Sequence, residues 1–475
     1  MRKVSVLVTL ALTLVSGASR VVSLPAGQAW QDASDRGSEL SRGEADGQVA
    51  RVLKADAFPT VPHAKFGRSG RPVRGVNLGG WFILENWENP SIFLTDDLVN
   101  KDIPDEWTWM NSISDKSDAK QRLLAHYNSW ITEADFQKMA EYGLNTVRLP
   151  VPHWAFNGSS SEPYLDSIQL PWISKAIGWA RDYNLDMVLD LHTVPGSQNG
   201  YDNSGRAGAI AFQNDPMNAA RAIDALVKMV QWYVNDPQWK GVIKAIEVVN
   251  EPKMGQGQIP RSFLEKFYRD SYTAIRKAID PTKAPVIPTV LLSDAFVSQS
   301  SWDNFYSDAN FWASGSYAID THHYEAFAPL NSYSYDQHIQ IACSVGPSIG
   351  PTNKKRAVVV GEFSLGIDTR CVPYKPCKGV TMEQDVRTLN KDSQNLFARK
   401  FWEAQTSTFE QYGGGWIFWN WKGESTSAWS YKDAVKQGWI PSNLDERVFK
   451  PAAGEQSCVS SQPNVPLSFN TRQDG

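Results

Sequence analysis

Short apolar runs rich in Val, Ile and Leu alternate along this chain with longer stretches whose apolar residues recur every three or four positions. The runs Val73–Leu78, Asn145–Leu149, Leu185–Leu191, Ile243–Val249, Val286–Leu292, Tyr317–His322, Ala357–Gly361 and Gly415–Trp419 predict buried strands. The periodic stretches Glu133–Tyr142, Ile173–Tyr183, Ala219–Val234 and Ser262–Ile279 predict amphipathic helices. Alternation of this kind over about 350 residues predicts an α/β fold, a (β/α)8 barrel with long loops at one end. An open doubly wound sheet is the competing topology.

Two of the runs end alike. Val248-Val249-Asn250-Glu251-Pro252 and Val358-Val359-Val360-Gly361-Glu362-Phe363 each lead a β-branched segment into a glutamate, 111 positions apart. A carboxylate at the end of a buried strand is costly unless it is paired or used. In a barrel, reacting groups gather at the C-terminal ends of the strands. There the sequence places Asn77, Arg148, His192, Asn250 with Glu251, His322 with Tyr324, Glu362 and Trp419. Two glutamates in such a ring point to an acid/base and nucleophile pair facing one sugar ring. The bland alternative is two exposed strand-end carboxylates.

Composition sharpens this picture. The 475 residues are 42% hydrophobic and 12% aromatic, enough for one large core. The 19 tryptophans exceed what packing usually needs, and indole faces suit the apolar faces of pyranose rings. A net charge of −4 gives no support for nucleic acid or an anionic membrane as partner. Arg2 and Lys3 precede an apolar run from Val4 to Val15 and the small residues Ser16–Ser19, so residues 1–19 read as a secretory signal. A signal anchor is the alternative reading of that run. No later stretch is long and apolar enough to span a membrane, and an extracellular or cell-wall location is expected. Residues 20–66 are polar and aperiodic and read as a leader or pro-segment, with the catalytic domain over 67–475. Four cysteines allow three pairings; Cys371 with Cys377 and Cys343 with Cys458 are the favoured ones. Asn157-Gly158-Ser159 is the sole glycosylation sequon. His322, His323 and Glu325 have metal-ligand chemistry, but adjacent strand residues face opposite ways, and no metal is expected. Gly75–Gly80 lacks the spacing of a dinucleotide loop, so no cofactor is expected either.

The ordered set of motifs resembles glycoside hydrolase family five, and within it the fungal secreted exo-β-1,3-glucanases. It comprises Arg74–Trp81 (RGVNLGGW), Gly143–Pro150, Asp190–Gly205 (DLHTVPGSQNGYDNSG), Asn250-Glu251-Pro252, His322-His323-Tyr324, Gly361-Glu362-Phe363 and Gly414–Lys422 (GGWIFWNWK). The resemblance implies a retaining mechanism on a β-glucan or β-glucoside, without cofactor, in a monomer. Glu251 would be the acid/base and Glu362 the nucleophile, with the charge of Glu362 raising the pKa of Glu251. Arg148 and Tyr324 would hold Glu362, and Asn250 the sugar 2-hydroxyl. His192 and His322 would bind hydroxyls or orient neighbours. Glu85 would contact the terminal glucose and close the cleft into an exo-acting pocket, with Trp419 as platform beneath the sugar. Tyr201 and Phe327 would clamp the entrance, with Asp202 and Asn203 beside them.

The match departs at the pocket wall. The glucanases usually have proline where this chain has Asn86, phenylalanine at Tyr201 and often tryptophan at Phe363. Related members cleave β-1,6-glucan or act as diglycosidases on 6-O-substituted glucosides such as rutinosides, and both remain alternatives. A sugar-binding scaffold without catalysis is disfavoured because both carboxylates are present.

Overall fold

Eight parallel strands close into a barrel in sequence order. They are β1 Val73–Asn77, β2 Thr146–Val151, β3 Asp186–Leu191, β4 Ile243–Glu247, β5 Thr289–Ser293, β6 Tyr317–His323, β7 Ala357–Phe363 and β8 Gly415–Phe418. Pairing of β1 with β8, Val73 opposite Gly415 through Val76 opposite Phe418, completes the ring. This is the (β/α)8 barrel, and the open sheet is excluded. The computed structural model describes residues 63–67, 70–312, 316–367, 391–424, 426–451, 457–467 and 469. The proposed signal, nearly all of the leader, and Cys371 with Cys377 lie outside the described residues.

The predicted helices form as Glu133–Glu141, Leu170–Asp182, Pro216–Met229 and Arg261–Ala278. The first begins in a capping box, in which Thr132 and Asp135 satisfy each other's backbone donors. The Tyr335–Lys355 and Lys391–Tyr412 helices were not expected from the sequence. Tyr335–Lys355 carries Pro347 and Pro351 in its interior, which conceals it from propensity reasoning. β5 starts at Thr289 rather than Val286, because Pro288 has no N–H for the ladder. Residues just before Gly67 also pack on the barrel: Ala64 N donates to Ile287 O at 2.8 Å, and Phe66 is buried.

Period-two alternation builds the barrel interior in two storeys. Phe66, Val73, Val188, Ala245, Leu291, Ala318, Ala357, Val359 and Ile417 form an apolar cluster drawn from seven strands. Two positions further along three of those strands stand Asp190, Glu247 and Asp320, all buried. Gly361 makes room for them: a Cβ there would lie 2.1 Å from Asp320 Oδ1. Its N–H instead donates to that oxygen at 2.8 Å. A polar floor is thus set by an apolar plug toward the C-terminal ends of the strands.

Cys343, on the Tyr335–Lys355 helix, is disulfide-bonded to Cys458. Asn157 ends a short helix, Trp154–Asn157, and its amide nitrogen, where a glycan would attach, donates to Asp224. Among the described residues no helix is long and apolar enough to cross a membrane.

Candidate active site

Arg148, on β2 and fully buried, organises the floor. Nη1 donates to Glu362 Oε1 at 2.8 Å and to Asn77 Oδ1 at 2.9 Å. Nη2 donates to Asn250 Oδ1 at 2.8 Å, and Nε to Glu247 Oε2 at 2.9 Å. Asp190 Oδ2 at 3.1 Å and Asp320 Oδ2 at 3.9 Å complete the shell. One guanidinium cannot neutralise four carboxyls. Burial therefore pushes Glu247 well above the carboxylate range, with Asp320 and Asp190 adding to the push. Burial also disfavours ionised Asp320, but His322 and Arg148 hold it below its ordinary value.

The two glutamates meet above this floor. Glu362 lies within β7, which runs on to Phe363 instead of ending at Gly361, and pairs in register with His322. Its Oε2 accepts from the Tyr324 hydroxyl at 2.8 Å. β4 stops at Glu247, short of the predicted Val249, so Glu251 sits on the turn beyond. Its φ of +45° is the left-handed region, rare for a non-glycine and common at functional turns. Glu251 Oε1 is 2.8 Å from His322 Nδ1, and Oε2 accepts from Asn203 Nδ2 at 3.0 Å. Oxygens of Glu251 and Glu362 and a ring nitrogen of His322 all lie within 4.8 Å of one another.

The directions of the two carboxyls are the reverse of those expected. Burial pushes Glu251 up, yet the His322 and Asn203 hydrogen bonds leave it below its ordinary value. Glu362 is raised, with burial outweighing the pull of His322 and Arg148 and with Glu251 adding to the rise. The reason is His322. Burial opposes its protonation, but Glu362, Asp320 and Glu251 together raise it well above 6.5. Its Nε2 lies 3.5 Å from Asp320 Oδ2, an ion pair rather than a hydrogen bond. The imidazolium therefore lies beside both carboxylates, and at Glu251 its hydrogen bond and charge, with Asn203, outweigh burial. Among the described residues two donor sets lie close enough to share a cation, Glu247–Asp320–His322 and Glu251–His322–Glu362, and both include this histidine.

His192 orients rather than reaches out. Nδ1 is 2.6 Å from Asp190 Oδ2, and the ring stacks on Trp419 with centroids 5.6 Å apart and an interplanar angle of 16°. Gln198, which the sequence reading did not single out, donates to the carbonyls of His192 and Asn250 at 2.8 and 3.0 Å. Asn203, expected beside the entrance clamp, is instead a direct partner of Glu251. Asp202 is buried, and burial first and Asp105 and Glu251 next raise its carboxyl to about 7. Tyr201 and Phe327 are exposed aromatic residues, and Lys253 Nζ lies 4.8 Å above the Tyr201 ring. Glu325, a component of the rejected metal reading, has its oxygens 3.0 Å from His323 Nε2 and 2.7 Å from His338 Nδ1, outside the glutamate pair.

An aromatic wall links the nucleophile candidate to Glu85. Tyr324 packs on Phe327 and Trp429 at 6.0 and 5.4 Å, and Trp429 meets Trp87 edge-on at 5.1 Å. Trp87 Nε1 donates to Glu85 Oε2 at 2.9 Å. Trp87 and Trp429 went unnamed in the sequence reading because tryptophan is abundant throughout and most of it is core. Glu247 and Asp320 went unnamed too, and Asp190 entered only as the start of a motif; a lone acid at an inward position of an apolar strand is the signal that marks them.

A closed parallel barrel whose mouth holds two buried glutamates over a charged floor defines an enzyme of the (β/α)8 class. The cellulase family profile, glycosyl hydrolase family 5, matches residues 116–425. The chain is 37% identical over 396 residues to a probable glucan 1,3-beta-glucosidase A of Aspergillus fumigatus, covering 79% of this chain and 89% of that one. It is 36% identical over 440 residues to a glucan 1,3-beta-glucosidase of Blumeria graminis, covering 86% and 97%. A rutinosidase structure from Aspergillus niger shares the fold, with a TM-score of 0.61 at 17% identity over 78% of this chain and 97% of that one. The chain belongs to glycosyl hydrolase family 5 and is a hydrolase.

Proposed function

We propose that this protein is a secreted, monomeric, retaining β-glucosidase that releases glucose from the non-reducing end of β-1,3-glucan. The observation that carries the reading is the approach of Glu251 and Glu362 oxygens to within 4.8 Å. That approach suits a direct-attack carboxyl pair, roughly 5–5.5 Å apart, and leaves too little room for the water of an inverting mechanism. The names of the relatives support the linkage, and the sequence of residues 1–19 supports secretion.

Glu362, held on one oxygen by Arg148 and on the other by Tyr324, attacks the anomeric carbon. The Glu251–His322 pair supplies the proton to the departing glycosidic oxygen through Glu251. Once Glu362 is esterified its charge is gone, and Glu251 loses a like-charged neighbour that favoured protonation. Glu251 is then the base that deprotonates water, which attacks the anomeric carbon and frees Glu362. Asn250, fixed by Arg148, holds the 2-hydroxyl. Trp419, backed by His192, is the sugar platform, and Tyr201 and Phe327 form the entrance. Glu85 closes the far end.

The test is the early product pattern from laminaritetraose. Glucose and laminaritriose alone are the expected products. Internal cleavage would overturn the closed pocket, and no cleavage would overturn the linkage in favour of 6-substituted glucosides.

A further inference from the structure

The far end of the pocket holds a carboxyl that the proposed mechanism does not use. Glu88 N and Asn89 N both donate to Glu85 O, at 2.9 and 2.8 Å, so the chain folds tightly back on itself after Glu85. Glu88 is 1% exposed, and its Oε2 has no protein partner. A buried carboxyl oxygen left this way costs stability unless a ligand or water completes it.

It is not alone. Asn89 Nδ2, both amide atoms of Asn420, Trp419 Nε1 and Asn86 Oδ1 are also buried without protein partners. Two glycines press three of these residues together. A Cβ on Gly79 would lie 2.7 Å from Trp419 Cζ2 and 2.9 Å from Asn420 Nδ2, and one on Gly80 would lie 2.7 Å from Asn89 Nδ2. Unpaired donors and acceptors gathered around Gly79 and Gly80 match a polyol, whose hydroxyls both donate and accept.

We propose that Glu88 is a specificity-determining residue of this pocket, hydrogen-bonding hydroxyls on the edge of the terminal sugar that lies away from the reacting carbon. The inference rests on the glycosidase reading above. Burial first, and then Glu362 and Asp202, push Glu88 well above the carboxylate range. Glu85 is raised as well, by burial and then by Glu88, while its bond from Trp87 opposes the rise. The indole N–H opposes the rise at Glu85 alone, so Glu88, which has no such donor, is the carboxyl better placed to hold a proton. Glu85 then accepts and Glu88 donates, a pair that can grip two oxygens of one sugar edge.

The experiment compares 4-nitrophenyl β-glucoside with its 4-deoxy and 6-deoxy analogues in the wild type, Glu88→Gln and Glu88→Met. For the hydroxyl that Glu88 binds, the preference for glucoside over that deoxy analogue should fall about tenfold in Glu88→Met. Glu88→Gln keeps an N–H donor and should retain most of the preference. Equal loss on all three substrates, an unchanged preference, or a Glu88→Met variant that fails to fold while Glu88→Gln behaves as wild type would each make Glu88 a brace and overturn the proposal. A wild type active on the aryl glucoside but inert on laminaritetraose overturns the β-1,3 reading and leaves Glu88 to be judged by its preference. A wild type inert on both overturns the two together.

Discussion

His322 and Glu251 share a 2.8 Å hydrogen bond, so a proton held there belongs to a pair and not to one side chain. The raised histidine keeps that pair protonated above 6.5. The alkaline limb of the kcat/KM profile should therefore lie above that pH in the wild type. In His322→Asn the proton must sit on Glu251 alone, and the limb should move to lower pH. A superimposable limb in the variant would refute the shared proton.

Glu362→Ala should lower kcat by about 10⁴-fold or more, the scale on which loss of one member of a reacting unit registers. The melting temperature should stay near that of the wild type, since the substitution removes a carboxyl from a crowded acidic site. Near-normal turnover would end its assignment as nucleophile.

Glu251→Gln should lose about 10²–10⁴-fold on laminari-oligosaccharides. On a dinitrophenyl glucoside the first step should survive, visible as a burst of phenolate in stopped flow, because that leaving group departs without a proton. Equal loss on both substrates would argue against the acid/base role.

Arg148→Met leaves Asp190, Glu247, Asp320 and Glu362 without their common cation. Removing one partner of a buried ion pair costs about 3–5 kcal/mol, and denaturant unfolding should show a loss of that order. Activity should vanish with it, since Glu362 and Asn250 both lose their hydrogen bonds to the guanidinium.

Stability should be greatest at mildly acidic pH. Burial raises Glu106 to about 8, Asp202 to about 7 and Asp294 to about 6. Each holds in the folded state a proton that the unfolded chain releases near pH 4, so stability falls as pH rises from there to about 8. On the other side, Glu162 is held at about 2: burial opposes this, but hydrogen bonds from His153 and Arg221 prevail. Its contribution is present above the unfolded value and is lost as pH falls through about 2. Melting temperatures across pH 3–9 should peak between pH 4 and 5, and a maximum above pH 7 would contradict this.

The barrel was legible because its signal is repeated. Eight apolar runs, each ending near a polar or aromatic residue, survive errors of two or three residues at any one boundary. The positions of Glu251 and Glu362 were legible for the same reason, each following a β-branched segment. What the pattern could not carry was who touches whom. Asn203 belongs to Glu251 because the loop after β3 folds over the mouth, a tertiary fact with no periodic trace. The reversed order of the two glutamates depends on His322 lying beside both, and a sequence motif contains no distances. The Tyr335–Lys355 helix was hidden by its own prolines, which packing overrides.

The Cys343–Cys458 crosslink joins residues 115 positions apart, and the segment it encloses contains β7, β8, Glu362 and Trp419. Closing a ring of about 100 residues removes roughly 4.7 kcal/mol of chain entropy from the unfolded state in the simplest treatment. The nucleophile candidate and the proposed sugar platform thus lie on one covalent loop, while Glu251 lies outside it. A protease that cuts the chain once inside that loop releases nothing: the two pieces stay tethered, and the nicked enzyme can hold its shape in surroundings where a single cleavage would otherwise divide it.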